Sequence, residues 1–384
     1  MNRVIITTYC EKRVSAYFQD KEMMDVLCED LTHPSLLARV YIGKVTRVVQ
    51  NIHAAFVDIG EGVDCYLSLE DNPFIIRTNR TTDGPLVAGD EVLVQVEKDA
   101  IKTKPPTLSG GISFASDHMV LVMGKRGLGI SRKLSKETKE TMQGWFDLTD
   151  CPYRLILRTS SAQVEKDKLL AEYVDLAERA KAQIAQWMHR NCFCLLREAK
   201  PEYESFLERV LPDGVDEVVT DFPEVFDALS GVFDHVRLYE DVSFPLPKLY
   251  SFEKQFHQAL DAKVWLKSGA YLVIQYTEAL TIIDVNSGKN MNRIEKKEHL
   301  FRINKEAAKE IARQVRLRNL SGIILVDFVN IGDREKEEAL TEILQADCSK
   351  DPDGVQVLGL TKLRLMEMTR KKVRRPLRNQ IRLP

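Results

Sequence analysis

The sequence lacks the features that would place it in a membrane or outside the cell. Its 384 residues contain no run approaching the roughly eighteen apolar residues that a membrane-spanning helix needs. The first residues, MNRVIITTYCEKRVSAYF, lack the basic head, apolar middle and small-residue cleavage site of a signal peptide. We therefore expect a soluble protein in the cytoplasm.

Cysteine is also scarce, with seven residues scattered along the chain. An odd number without regular spacing argues for free thiols in a reducing compartment rather than for a disulfide framework. The one close pair, Cys192 and Cys194, has no pair of histidines nearby to complete a zinc site. We therefore expect no structural zinc.

Net charge is small, but it is distributed unevenly. The whole chain carries −2, whereas the segment from Lys362 onward has nine basic residues and one acid, a net charge of +8. Such a basic block is either a phosphate-binding surface or a solvated terminus. Charge alone does not separate these two interpretations.

Two aspartates, Asp284 and Asp327, each interrupt a strand-like apolar run, in LTIIDVNSGKN and in SGIILVDFVNI. The stretch between them, INKEAAKEIARQVRLRNL, has the apolar spacing of an amphipathic helix. Strand, helix and strand in succession predict two parallel neighbours in one sheet. Both carboxylates would then lie at the same edge of that sheet.

A carboxylate at the end of a buried strand is costly unless a positive group lies beside it, and a divalent metal is a common solution. Asn286 follows Asp284 closely, and its amide would orient a metal-bound water or a phosphate. Mg²⁺ between two carboxylates would activate water and offset charge on a phosphodiester. The alternative is structural, with Asp284 beginning a turn and backbone amides satisfying Asp327. The pattern leaves both open.

Short alternating runs from about Leu36 predict a small β-barrel. Phe56 and Tyr66 lie on successive predicted strands, where bases would stack on them, and Lys104 lies in the loop just after the barrel. Taken singly, such an aromatic is more often a core residue. The string GKVTRVVQNIHAAFVDIGEGVDCYLSL, however, closely resembles the S1 RNA-binding domain.

A further strand-like run, YRLILRT, ends with Arg158 beside Thr159, and Arg132 lies earlier in the chain. A guanidinium next to a hydroxyl would grip a terminal phosphate through charge-assisted hydrogen bonds. The alternative is an arginine that only caps the end of a strand. The run by itself does not decide between them.

Three segments together resemble one known family. YTEALTIIDVNSG, INKEAAKEIARQVRLRNLSGIILVDFVNI and LTKLRLMEMTRKK closely resemble the catalytic core of the ribonuclease E/G endoribonucleases. The S1-like string and LILRTS stand in that family's order, so the resemblance runs nearly end to end. It implies a Mg²⁺-dependent endoribonuclease that hydrolyses single-stranded RNA, leaves a 5′-phosphate and a 3′-hydroxyl, and favours 5′-monophosphorylated substrates.

The resemblance also implies a multidomain α/β fold. An RNase H-like fold would be interrupted by an S1 barrel of the OB type and followed by a 5′-sensor region and a DNase I-like catalytic subdomain. The expected boundaries are 1–34 for the first RNase H-like part, 35–117 for the S1 domain, 118–190 for the 5′-sensor region, 191–258 for the second RNase H-like part, and 259–384 for the DNase I-like subdomain with its basic tail.

Three groups of site residues follow from the same resemblance. The catalytic group, whose two acids would be the metal ligands, is Asp284, Asn286 and Asp327. The group that would hold single-stranded RNA is Phe56, Tyr66 and Lys104. The group that would bind the 5′-monophosphate is Arg132, Arg158 and Thr159.

The chain departs from the family pattern at several positions. The usual DFIDM is DFVNI here, so Asn330 replaces the second acid, and Gly354 stands where better-studied members have an arginine. No C-P-x-C zinc link occurs before Pro384, so we expect any homodimer to form without one. These departures keep a second hypothesis open, a non-catalytic RNA-binding protein with an S1 domain.

Overall fold

The computed structural model describes residues 1–32, 34–80, 84–100, 104–123, 126–131, 134–146, 148, 153–277, 279–287 and 296–383. The chain divides into two compact units. Unit 1 consists of Met1–Pro34 together with Pro201–Pro384, and unit 2 is Ser35–Lys200. The chain therefore starts in unit 1, leaves it to form unit 2, and returns.

Both units combine β-strands with α-helices. The strands are β1 Asn2–Tyr9, β2 Lys12–Gln19, β3 Glu22–Glu29, β4 Val40–Val49, β5 Ala54–Asp58, β6 Asp64–Ser68, β7 Glu91–Lys98, β8 Thr107–Ser109, β9 Ser113–Ala115, β10 Met119–Met123, β11 Gly127–Ile130, β12 Tyr153–Leu157, β13 Leu195–Arg197, β14 Glu217–Thr220, β15 Val236–Leu238, β16 Lys263–Trp265, β17 Tyr271–Tyr276, β18 Leu280–Asn286, β19 Gly322–Asp327, β20 Val355–Leu360 and β21 Met366–Arg370. The helices are α1 Lys136–Gln143, α2 Lys166–Trp187, α3 Glu202–Val210, α4 Pro223–Ser230, α5 Leu246–Leu249, α6 Phe252–Leu260, α7 Lys296–Leu317, α8 Arg334–Cys348 and α9 Leu377–Gln380.

The first sheet of unit 1 joins the start of the chain to its middle. Its strand order is β15-β14-β1-β2-β3, and β1 pairs in parallel with β14, for example Val4 with Val218. The first thirty or so residues are too few to bury a core alone, which is why the sequence predicts that they pair with a later segment. The pairing of β1 with β14 confirms that prediction.

The second sheet of unit 1 has the order β16-β17-β18-β19-β21-β20. Strands β18 and β19 are parallel neighbours joined through α7, as the sequence predicts. Apolar side chains of α7 and α8 pack on one face of the sheet and bury Ile283 and Ile324 there. The other face, called the open face below, carries Ile282 and Ile323, which are 38% and 50% exposed.

The barrel predicted from the alternating runs is present in unit 2. Strands β4, β5, β6, β8 and β7 follow one another, and pairing of β4 with β7 closes the ring. This five-stranded closed barrel is compatible with an OB or S1-like fold. Because β8 pairs with both β6 and β7, Lys104 lies in the connection between β7 and β8, within the barrel. Its predicted position after the barrel was therefore wrong.

The second sheet of unit 2 has the order β11-β12-β10-β9 and packs against α2. The apolar spacing of SSAQVEKDKLLAEYVDLAERAKAQIAQWMHR predicts one long helix. Helix α2 begins only at Lys166, because Thr159–Gln163 forms a 3-10 turn in which the Ser161 hydroxyl donates to the Arg158 carbonyl oxygen at 2.6 Å. Strand β13 pairs with β4, so residues 191–200 lie in unit 2. The sequence assigns these ten residues to the second RNase H-like part.

Candidate functional site

The two aspartates singled out from the sequence are direct partners in the second sheet of unit 1. Asp284 is the last residue of β18 to pair with β19, and its register partner is Asp327. Partners on neighbouring parallel strands point to the same face and lie about 5 Å apart between Cα atoms. Strand pairing thus brings both carboxylates together on the open face.

Their surroundings differ from the sequence expectation in one respect. Asp284 is half-buried and Asp327 is exposed, because the apolar neighbours Val285 and Val326 turn to the covered face instead. The premise of two buried charges was therefore wrong. The register of the two strands brings the acids together. Because water still solvates both carboxylates in part, their charges cost less free energy than buried charges would.

Asn286 lies beside the pair, as the sequence suggests. Its Nδ2 atom donates a hydrogen bond to Oδ2 of Asp284 at 2.7 Å, which holds the amide against the carboxylate. Among the described residues, no hydrogen bond reaches the carboxylate of Asp327. The alternative in which backbone amides satisfy Asp327 has no counterpart in these contacts.

Helix α7 fixes the loop that follows Asp327 through a residue that sequence reasoning missed. Asn304 is fully buried, its Nδ2 donates to the Val329 carbonyl oxygen at 2.8 Å, and its Oδ1 accepts from the Val329 amide at 3.2 Å. This reciprocal pair ties α7 to the loop. The available signal was a polar residue on the apolar side of a predicted amphipathic helix.

The donor set at the pair suits a hard cation. Two carboxylates on one open face provide the oxygen ligands that Mg²⁺ prefers, and Mg²⁺ commonly takes only one or two protein carboxylates and keeps several waters. Over the described ranges, His, Cys, Asp and Glu form no larger group that would hold a metal. Asp284 and Asp327 could hold such an ion.

A row of side chains crosses the outside of the barrel in unit 2. Phe56 of β5 and Tyr66 of β6 are register partners, with ring centroids 6.2 Å apart and an edge-to-face angle of 78°. Both rings are half-buried, whereas their neighbours Val57 and Leu67 fill the barrel core. The two rings lie on the outer surface, and Lys104 is exposed.

The same row contains an arginine that the sequence interpretation missed. Arg47 of β4 pairs with Phe56, and its Cζ lies 4.1 Å from the ring centroid. Strict alternation from the buried Val45 would turn Arg47 inward, but a bulge between these two residues shifts the register and turns it outward. A bulge of this kind has no clear signature in GKVTRVV.

Arg158 and Thr159 lie at the end of β12 and are both exposed. Because β11 runs parallel to β12, the residue after β11, Ser131, reaches the same edge, and its Oγ lies 2.8 Å from Oγ1 of Thr159. Ser131 was not among the predicted residues. Arg132 lies outside the described residues, and the other two predicted phosphate ligands, Arg158 and Thr159, lie side by side.

Part of the basic tail is folded into unit 1, although all of its nine basic residues except Arg370 and Arg374 are exposed. Leu377 of α9 and Ile381 are buried in the core that also contains Cys28. The guanidinium of Arg370 is fully buried and bonds to Asp351 at 3.0 Å and to Asp353 at 2.8 Å. For these residues neither a phosphate-binding surface nor a solvated terminus describes the structure.

A second tail arginine, Arg374, contacts a fully buried acid. Asp25 of β3 is inaccessible to solvent, and its carboxylate contacts Arg209 of α3, Arg316 of α7 and Arg374 at 3.1, 3.0 and 3.0 Å. Burial alone would raise the pKa of Asp25, but the three guanidinium groups outweigh burial and hold the pKa well below its usual range. This cluster joins the first sheet to α3, to α7 and to the segment that follows β21.

Fold and site together define a class of protein. It is a mixed α/β protein with an OB-like barrel and with a carboxylate pair suited to a divalent cation. The chain belongs to the ribonuclease E/G family, since the model described as "Ribonuclease E/G family" matches residues 113–373. The family membership expected from the sequence is thus confirmed. No helix within the described residues is long and apolar enough to cross a membrane.

Individual relatives agree with this family. The chain is 30% identical to "Ribonuclease E" of Synechocystis sp. over 386 residues, covering 94% of this chain and 55% of that protein. It is 28% identical to "Ribonuclease G" of Escherichia coli K12, covering 97% of this chain and 80% of the relative. It is also 28% identical to "Putative ribonuclease E" of Buchnera aphidicola subsp. Baizongia pistaciae, and the matched region covers 98% of this chain and 97% of that relative. The chain therefore spans about half the length of the Synechocystis relative and most of the other two.

Proposed function

We propose that this chain is an endoribonuclease that hydrolyses single-stranded RNA with Mg²⁺ held by Asp284 and Asp327. The observation that carries the proposal is the register pairing of the two acids on an open sheet face, in a chain of a ribonuclease family. When bound, Mg²⁺ would lower the pKa of a water molecule and offset negative charge on the phosphate.

The protein's own residues have distinct tasks at this site. Asp284 and Asp327 supply negative oxygens, and the hydrogen bond from Asn286 fixes the orientation of one of them. Asn304 holds the loop after Asp327, which keeps the second acid in place. The products would carry a 5′-phosphate and a 3′-hydroxyl.

The barrel and the strand end of unit 2 would bind the substrate. Stacking of bases on Phe56 and Tyr66, with Lys104 nearby, suits a single strand, because any base can stack on an aromatic ring. Arg158 and Thr159, two exposed donors side by side, would bind a 5′-monophosphate. We further propose the RNase H-like, S1, 5′-sensor and DNase I-like arrangement, a cytoplasmic location, and assembly as a homodimer.

A cleavage assay tests the proposed function directly. A 5′-monophosphorylated, AU-rich single strand is incubated with the protein and Mg²⁺, and in parallel with EDTA. We expect internal cleavage with Mg²⁺ and none with EDTA, because the two acids alone cannot offset the charge of a phosphodiester. A strand that is retarded on a gel but stays intact with Mg²⁺ would instead identify a non-catalytic RNA-binding protein.

The 5′ end of the substrate provides a further prediction. We expect faster cleavage of 5′-monophosphorylated RNA than of the same RNA with a 5′-hydroxyl, and loss of that preference in Arg158→Ala. The ratio of the two rates should fall about tenfold or more, since charge-assisted hydrogen bonds are lost. Arg190→Ala, at an exposed position of the same unit, is the matched control and should keep the ratio. Equal rates for both RNAs with the unchanged protein would contradict a 5′-phosphate site.

A further inference from the structure

An aromatic pair and a lysine lie at the edge of the second sheet of unit 1. Trp265 of β16 and Tyr271 of β17 are register partners, and their ring centroids are 5.1 Å apart. The Nζ atom of Lys263 lies 3.9 Å from the Trp265 centroid and 3.8 Å from the Tyr271 centroid. We call this group of three side chains the edge platform.

Strand pairing runs without a break from the edge platform to the candidate site. Tyr271 is the register partner of Asn286. Lys263 pairs with Val273, and Val273 pairs with Asp284. Register partners share a face, so the platform lies on the open face, with Trp265 about 10 Å from Asn286 between Cα atoms. A phosphate at Asp284 would therefore have a neighbouring nucleotide close to the platform.

Trp265 of the edge platform is unusually exposed to solvent for a large aromatic side chain. Trp265 is 63% exposed, although an indole is among the side chains that gain most from leaving water. No carboxylate among the described residues forms an ion pair with Lys263. The positive charge of Lys263 is thus available to an anion, and most of the Trp265 surface is available to a planar group.

A purely structural explanation covers only part of the group. A lysine on an edge strand prevents pairing with other chains, which would account for Lys263 on β16. It does not account for a large exposed indole beside it, which would favour association. A planar ring together with a cation is the combination that binds a nucleotide, through base stacking and phosphate contact.

We propose that the edge platform is a nucleotide subsite, in which a base next to the scissile phosphate stacks on Trp265 and Lys263 contacts an adjoining phosphate. The proposal rests on the proposed endoribonuclease function and deepens it. Through this subsite, the strength of stacking at one position of the RNA would influence where the strand is cut.

Tryptophan fluorescence tests the subsite without cleavage. A short unstructured single-stranded RNA is added to the protein in EDTA, and binding is followed in parallel by anisotropy of a label on the RNA. We expect quenching of the tryptophan signal, and its loss in Trp265→Phe, which keeps a ring for stacking and retains RNA binding. RNA binding with the same quenching in Trp265→Phe would overturn the proposal. RNA binding without any quenching in the unchanged protein would do so as well.

Cleavage kinetics test the same subsite by a separate route. With an RNA cut at one mapped position, we expect Trp265→Ala to lower kcat/KM by about 5- to 150-fold, the usual range for loss of one base–aromatic stack. Trp265→Phe should restore most of the rate. Replacing the stacked base by an abasic position should lower the cleavage rate of the unchanged protein but not lower that of Trp265→Ala any further. Phe244→Ala, another exposed aromatic of unit 1, is the control and should cut normally.

The outcomes separate the subsite from the proposed function. A Trp265→Ala protein that cuts at the unchanged rate, and responds to base removal as the unchanged protein does, would refute the subsite alone. Failure of the unchanged protein to cut RNA would refute the proposed function, and the fluorescence experiment would then still decide whether a base stacks on Trp265. A lowered melting temperature without either effect would mark the platform as structural.

Discussion

Asp284→Asn and Asp327→Asn should each lower the rate of Mg²⁺-dependent RNA cleavage by at least about 100-fold. Each change keeps the size of the side chain but removes one of two charges that face each other across β18 and β19. Loss of a single preorganised electrostatic group commonly costs about 100- to 1,000-fold in rate. The rates are to be measured under single-turnover conditions, together with the Mg²⁺ concentration that gives half the maximal rate.

The controls for this prediction separate chemistry from binding and folding. Binding of RNA in EDTA should be unchanged in both variants, because the residues proposed to contact the strand without Mg²⁺, in unit 2 and in the edge platform, include neither aspartate. Glu342→Gln removes an exposed carboxylate from α8, on the covered side of the same sheet, and should cut at the normal rate. If either aspartate variant cleaves with undiminished Mg²⁺ dependence, the site is elsewhere.

Asp25→Asn should lower the free energy of unfolding by about 3–5 kcal/mol, the usual cost of removing one partner from a buried ion pair. The variant would leave Arg209, Arg316 and Arg374 around a neutral amide in a place that water does not reach. Urea unfolding at neutral pH, followed by far-UV circular dichroism, measures the loss. Asp20→Asn is the matched control, because Asp20 follows the neighbouring strand β2 but is 87% exposed, and its pairing with the chain amino group should contribute little.

The same cluster predicts how stability depends on pH. The folded-state pKa of Asp25 is depressed, so its contribution is complete above the unfolded-state value of about 3.9 and is lost as pH falls from there toward the folded-state pKa. The difference in unfolding free energy between the unchanged protein and Asp25→Asn should therefore be constant above about pH 5 and shrink below about pH 4. A difference that is the same at pH 3 and pH 7 would show that the carboxylate is not held ionised by its arginines.

Part of the fold and of the candidate site was predictable because it depends on local periodicity. The apolar spacing of α7 between two strand-like runs was sufficient to predict parallel neighbours, and from these the meeting of Asp284 with Asp327. Exposure was not predictable in the same way. Which face of a sheet a helix covers depends on packing, and the acids proved to lie on the uncovered face.

Other site residues depend on pairings between distant segments, which one sequence does not display. The outward turn of Arg47 follows from a bulge, and the place of Trp265 beside the site follows from two successive strand registers. Arg374 in the basic tail is a further case. A run of like charges suggests a solvated or phosphate-binding surface, yet the acid that meets Arg374 is Asp25, 349 residues earlier in the chain.

That separation has a consequence for the order of events during synthesis. Unit 2 is continuous from Ser35 to Lys200, so it can fold as soon as it leaves the ribosome. Unit 1 cannot, because Asp25 stays without one of its arginines until Arg374 has been translated. The candidate catalytic sheet is therefore completed only after unit 2, and a growing chain would present a folded barrel before that sheet has formed.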